Sequence, residues 1–425
     1  MLTIHKEKCK LILYFIIYRA VCEIAYLIYV NREFSYYGFE YNFEFTTYSI
    51  SWLSLIGPLL ITPFQLAKTS DFILSLWMTI GIIPSSILYG FCSSPSITLT
   101  DYLFILLCFF ITSFILRIKL NFRLHLINIR NVELCIVFLL FLINLVVLLR
   151  IMSSGVSLNF NMLRVYDFRA ENAAIIAGGV FTYLIIWSYK VSNPFLISYA
   201  LYSKKYFCVL LFLSIQVYLF AATAHKSVLL SIVLILFVWF FFRNQKLLSV
   251  IPKCFSVLVA ICLVTYMVFN DIVLGSFFIR RLLFFPAYLN YAYFDFFSNN
   301  SVVYWSNSFL NSFFSYPYDM SVPREIGYFI GRPGMSANNG LISSGFANFS
   351  YLGSIIYVCL FSMIMKVIDR CGHNYPVWFM LSFSIIPLTS PLLSSDLLTS
   401  LLTHGLFLAV LIALILNQNL SKSRK

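Results

Sequence analysis

Apolar residues run through this chain in long blocks rather than alternating with polar ones. Twelve blocks can be marked, at about 11–31, 49–67, 72–92, 102–116, 133–152, 173–190, 206–222, 227–242, 249–270, 351–368, 375–392 and 399–417. Each matches or approaches the length a helix needs to cross a hydrocarbon layer about 30 Å thick. The pattern predicts an all-α integral membrane protein of about twelve transmembrane helices with both termini on one side. Helices 1–9 occupy residues 1–270 and include a loop at 153–172; a large loop follows at 271–350, and helices 10–12 with a tail fill 351–425. Lys6, Lys8 and Lys10 precede the first block without a small-residue cleavage pattern after it, so that block is expected to be a retained helix.

Composition agrees. Hydrophobic residues make up 61% of the chain and charged residues 11%, under half of the roughly 25% usual in soluble domains. The net charge of +13 is attributed to basic cytoplasmic loops rather than to nucleic acid, for which no role is expected. Aromatic residues, at 19%, exceed what interfacial belts require, so some are expected to line a cavity or ligand site. None of the ten cysteines falls in the two long loops, which argues against a disulfide framework and a zinc cluster. No phosphate-binding G-x-x-x-x-G-K-[ST] loop or H-E-x-x-H helix occurs, and the outer acids are scattered singly, so neither metal nor cofactor is expected.

The type of basic residue changes the picture. With the N-terminus inside, the cytoplasmic side holds thirteen Lys and six Arg, counting Lys190 there. The outer side holds one Lys and eight Arg: Lys226 against Arg32, Arg150, Arg164, Arg169, Arg280, Arg281, Arg324 and Arg332. Topology needs only positive charge, whereas guanidinium binds phosphate or carboxylate with a planar fork. The alternative is that these arginines pair with the eleven acids on the same side.

Candidate sites lie in the two loops. Arg164, Tyr166, Asp167, Arg169 and Glu171 form a polar stretch just before a helix start. In the second loop, Arg280 and Arg281 precede Pro286 and an aromatic run ending at Phe297, a segment suited to the outer membrane surface with both guanidinium groups at headgroup depth. A helix from Pro286 places Asn290, Tyr293 and Phe297 on one face, suited to a sugar, and Asp295 on another. Beyond it, Arg324, Glu325, Arg332, Asn338 and Asn339 sit in a glycine-punctuated stretch. His225 and Lys226 form a tight outer turn, His404 lies about one turn inside the last helix, and Arg19 and Glu23 are spaced to pair within the first.

This arrangement resembles the O-antigen polymerases (oligosaccharide repeat unit polymerases, Wzy type) of bacterial inner membranes, and more broadly the C-type membrane glycosyltransferases, over nearly the whole chain. The specific pieces are Arg280, Arg281 and the Pro286 to Phe297 run, and the stretch from Arg332 to Gly353. The arginine-then-glycine spacing described for the family's periplasmic loops is only approximated by Arg169 with Gly178 or Gly179. The resemblance implies transfer of a growing glycan from undecaprenyl pyrophosphate to a new undecaprenyl-pyrophosphate-linked repeat unit on the periplasmic face, with a chain-length regulator as partner. Arg164, Arg169, Arg280, Arg281, Arg324 and Arg332 would then hold pyrophosphate, and Asn290, Tyr293, Asn338 and Asn339 the sugars. Glu325, Asp295, Asp167, Glu171 and His404 are all admissible as the general base, with Glu325 first. A lipid-linked oligosaccharide flippase and an O-antigen ligase are the rival readings.

Overall fold

The computed structural model describes residues 2–92, 96–119, 131–160, 178–308 and 310–417, with Phe168, Asn172, Ile175 and Ile176. Arg164, Asp167, Arg169 and Glu171 lie outside the described residues.

Each apolar block is helical over most of its described residues. In chain order the helices are α1 (His5–Tyr37), α2 (Phe45–Ile61, broken near Ser54), α3 (Thr69–Phe91), α4 (Leu99–Arg117), α5 (Val132–Ser153), α6 (180–202), α7 (Tyr206–Thr223), α8 (Lys226–Phe242) and α9 (Val250–Phe269). They continue as α10 (Ile272–Asn299), α11 (Val322–Phe329), α12 (Leu341–Cys371), α13 (Val377–Leu393), α14 (Leu397–Leu402) and α15 (Leu406–Leu416). Eight of them are long and apolar enough to cross a membrane: α1, α3, α4, α5, α7, α9, α10 and α12. No strand forms among the described residues, where pairing is limited to two isolated bridges.

Burial sorts the helices. α3 is the central pillar, with 94% of its apolar window enclosed, while α5 encloses only 28% and presents Leu134, Phe138, Leu145, Leu149 and Met152 outward. A helix that apolar and that exposed is stable only with hydrocarbon as its solvent. The Arg19–Glu23 pair forms as its spacing predicts, at 2.9 Å, and Arg19 also donates to Ser51 O at 2.7 Å and lies over the Trp52 ring at 4.0 Å. At one end of the bundle, Lys366 donates to Ile115 O and Arg117 to Ile61 O, satisfying carbonyls that helix ends leave open. The opposite end, with His225, Arg280 and Arg332, is termed the upper end.

The structure departs from the sequence reading at α6 and through the 271–350 stretch assigned to a loop, which also holds α11 and the first ten residues of α12. α6 begins at Val180 and runs to Tyr202, so Lys190 sits at its middle, within a π-helical turn (Ser188–Ser192), and not at a helix end. Ile272–Asn299, placed in a loop from sequence, is one helix that follows α9 after two residues. A long π-helical turn (Ser276–Phe284) precedes Pro286, so the ring falls in the first turn of the α-helical part, where its missing N–H leaves no bond unmade. α10 meets Tyr29, Tyr26, Gly38, Ser85 and Phe104 in succession, which makes it a helix crossing α1, α3 and α4 rather than running along one of them.

Candidate functional site

The site begins with a fold-back in α12. Phe349 and Ser350 leave helical geometry, Ser350 at φ +54°, and the chain reverses so that Leu341–Asn348 lies against the start of the main span. Two glycines allow this approach: a Cβ on Gly353 would stand 2.0 Å from Gly345 O. Ser354 Oγ then donates to Ile342 O at 2.7 Å across the fold.

The 300–308 segment closes over this half-helix through its open carbonyls. Val303 N donates to Ala347 O at 2.9 Å, Tyr304 N to Asn348 O at 3.1 Å, and Trp305 N to Asn348 Oδ1 at 2.9 Å. Tyr304 and Trp305 both hold φ +54°, an unfavourable backbone for large side chains that these bonds maintain. The indole of Trp305 is thereby directed at Tyr357: Nε1 donates to the Tyr357 hydroxyl at 2.8 Å, and that hydroxyl donates to Asp396 Oδ2 at 2.9 Å. Asp396 Oδ1 accepts from Leu398 N at 2.8 Å and Thr399 N at 3.2 Å, capping α14. Burial raises the Asp396 pKa above its ordinary value, opposed by the Thr399 amide, the Tyr357 hydroxyl and the Leu398 amide.

These groups border a cavity of about 280 Å³. Its wall is amide, hydroxyl and aromatic: Tyr293, Trp305, Asn307, Ser308, Asn338, Asn339, Ser344, Asn348, Ser395, Asp396 and Thr399, with Val322, Pro323, Ala347 and Leu398 as the apolar patches. Asp396 is the one charged residue in that lining. Amides and hydroxyls beside aromatic faces match the alternating hydroxyl and C–H surfaces of a sugar. Behind the wall, Asn339 Nδ2 donates to Ser343 Oγ at 2.7 Å, Pro286 O at 3.0 Å and Asn290 Oδ1 at 3.1 Å, which fixes the 338–340 loop on α10.

A second group lies further along α10. The Arg280 guanidinium carbon is 4.5 Å from the Phe34 ring centre and 5.0 Å from that of Tyr37; that of Arg332 is 4.1 Å from Tyr37 and 4.8 Å from Tyr36. Arg280 is 8% exposed and hydrogen-bonds Ser276 Oγ, while Arg332 Nη2 donates to Tyr36 O at 2.9 Å and its buried Nε has no partner among the described residues. The ion pairs among the described residues are Lys10–Glu7 and Arg19–Glu23, so Arg280 and Arg332 are not neutralised by acids. Ring stacking engages the face of a guanidinium and leaves its in-plane N–H groups for an anion.

The sequence candidates therefore divide. Asn338, Asn339 and Tyr293 line the cavity, and Asn290 braces it from behind. Arg280 and Arg332 meet at Tyr37, and Arg281, which is exposed, is 5.8 Å from the Phe277 ring. Arg324 is exposed on α11. Glu325 braces its own loop, accepting from Met320 N at 3.0 Å, and neither it nor Asp295 is among the cavity-lining residues. His404 follows α14 beyond the cavity, with its Nδ1 buried and without a partner among the described residues. Asp396 was not singled out from sequence, where it is one acid in a short turn, although its position ahead of Leu397 is a helix-cap signal. Comparison of the chain with protein-family models, curated proteins and solved structures gives no match.

Proposed function

We propose that this chain is a membrane glycan polymerase acting on sugars linked to polyprenyl pyrophosphate, of the O-antigen polymerase type. In this reading twelve segments cross a bacterial inner membrane, both termini are cytoplasmic, and the upper end is the periplasmic face. The observation that carries the reading is the pairing of an amide- and aromatic-lined cavity with two arginines that no acid among the described residues neutralises, on one helix and the loop it braces.

Arg280 and Arg332 hold a lipid pyrophosphate at headgroup depth, and the cavity takes sugar. Asp396 replaces Glu325, Asp295 and His404 as the general base, because among the described residues it is the carboxylate that lines the cavity. The attacking hydroxyl passes its proton to Asp396 Oδ2 as its oxygen bonds to the anomeric carbon of the donor sugar, and the bond to pyrophosphate breaks with the electron pair leaving on that group. Tyr357 positions the carboxylate from behind. A chain-length regulator is the expected partner.

The lipopolysaccharide pattern of a deletion strain tests this, with protein amounts matched on complementation. A single repeat unit on the core, restored to a ladder by wild type and not by Asp396→Asn, is the expected result. A bare core signifies a ligase or a flippase, and an unchanged ladder removes the chain from the pathway.

A further inference from the structure

The hydrogen bonds behind the cavity wall decide which end of each lining amide is left for a ligand. Asn348 Oδ1 accepts from Trp305 N at 2.9 Å and its Nδ2 donates to Ser344 O at 2.8 Å, so backbone groups occupy both ends. Asn339 is 3% exposed, and its Nδ2 is directed at Ser343 Oγ, Pro286 O and Asn290 Oδ1, away from the cavity it lines. Pro286 O can only accept, which fixes that end of the amide as the nitrogen. Asn339 Oδ1 is therefore the end left for the cavity, and no donor among the described residues bonds it. The wall's hydroxyls follow the same pattern: Tyr293 donates to Ala337 O at 2.9 Å and Ser308 to Trp305 O at 3.0 Å. Asn307 and Thr399, whose side-chain donors bond nothing among the described residues, are exposed.

Charge points the same way. Asp396 is the charged residue of the lining, and an ionised carboxylate offers only acceptors. The arginines closest to the lining in sequence are not part of it: Arg332 rests on Tyr36 and Tyr37, and Arg324 is exposed on α11. We infer that the cavity takes an uncharged sugar, which gives hydroxyl or amide hydrogens to Asn339 Oδ1 and Asp396 Oδ2, and that it excludes sugar acids. This rests on the polymerase reading and narrows its acceptor to repeat units whose terminal sugar carries no carboxylate. A uronate in the cavity would set its lone pairs against Asn339 Oδ1 and its charge against Asp396. Two unit charges about 6 Å apart at an effective dielectric constant of about 20 weaken binding by roughly 100-fold.

Three glycosides that differ only at C6 test this without altering the protein. Full-length protein in lipid nanodiscs is titrated with a methyl hexoside, its uronate and the matching uronamide, in the gluco and galacto series, with binding followed by ligand-observed NMR. The hexoside and the neutral uronamide of one series are expected to bind within a few-fold of each other, and the uronate roughly 100-fold more weakly. Asp396→Asn, checked for an unchanged melting temperature, is expected to bring the uronate to within about tenfold of the uronamide by removing the like charge. If that variant does not fold, the comparison of uronate with uronamide on wild type decides alone. A uronate that binds wild type as well as the uronamide overturns the exclusion of sugar acids and leaves the polymerase reading standing. A uronamide rejected along with the uronate shows that size at C6 and not charge selects, and overturns it equally. Failure of all the glycosides to bind removes the cavity as a sugar site, and the polymerase reading with it.

Discussion

The hydroxyl of Tyr357 donates to Asp396 Oδ2 at 2.9 Å, joining a residue inside the α12 span to the cap of α14, thirty-nine positions later. The same hydroxyl accepts from Trp305 Nε1, so one oxygen ties the loop over the cavity to the carboxylate within it. Removing it with Tyr357→Phe takes the acceptor from a part-buried indole N–H, which costs about 1–3 kcal/mol. A lowered melting temperature in detergent, with polymerisation slowed but not abolished, is the expected outcome; an unchanged rate shows that Asp396 needs no support from behind.

Asp396→Asn keeps a side-chain oxygen for the Leu398 and Thr399 amides, and Asn caps helices about as well as Asp. Membrane levels should hold while transfer falls by roughly 10²–10⁴-fold, the range for loss of a general base. Glu325→Gln, which removes charge from a loop brace, should leave the rate within a few-fold of wild type.

The pH dependence follows from burial. The folded protein raises the Asp396 pKa, so the ionised base is lost at a higher pH than for an ordinary carboxyl, and the rate should fall on acidification with its midpoint above that of an ordinary aspartate. Stability from this group runs the other way, being fullest at low pH and lost as pH rises through the raised pKa. Activity that declines on acidification without unfolding fits the base; decline only where the protein unfolds does not.

Arg280 and Arg332 both stack on the Tyr37 ring. Lys at either position keeps charge and loses the fork, and should lower activity by roughly 10- to 100-fold, the equivalent of ~1.5–3 kcal/mol for one charge-assisted hydrogen bond. Tyr37→Leu should weaken both arginines together. Full activity in all three would return these groups to snorkelling at the membrane surface.

Gly353→Ala puts a carbon on Gly345 O, backbone against backbone, with nothing flexible to yield. The fold-back of α12 should open, and the variant should fail to accumulate in the membrane; normal levels and activity would show that the half-helix moves freely.

The helices were legible because burial in lipid leaves apolar blocks that one sequence displays directly. Arg19 with Glu23 could be read because their local spacing suffices. The cavity could not. Trp305, Tyr357 and Asp396 come from three segments, and Tyr357 lies in an apolar run where a hydroxyl gives no signal of its partner. Lys190 was placed at a helix end because the polar turn Ser188–Ser192 interrupts the block, and a π-helical turn is what lets the helix continue through it. The same device disguised α10, where Arg280, Arg281 and Pro286 punctuate a single helix.

The most direct measurement is reconstitution. Purified protein in liposomes is supplied with undecaprenyl-pyrophosphate-linked repeat units, and the lipid-linked glycans and released undecaprenyl pyrophosphate are resolved over time. A ladder of lengths with one pyrophosphate lipid freed per bond, absent with Asp396→Asn, is the outcome expected of the polymerase. Repeat units that stay single while crossing the bilayer, or that stay single and unmoved, would contradict it.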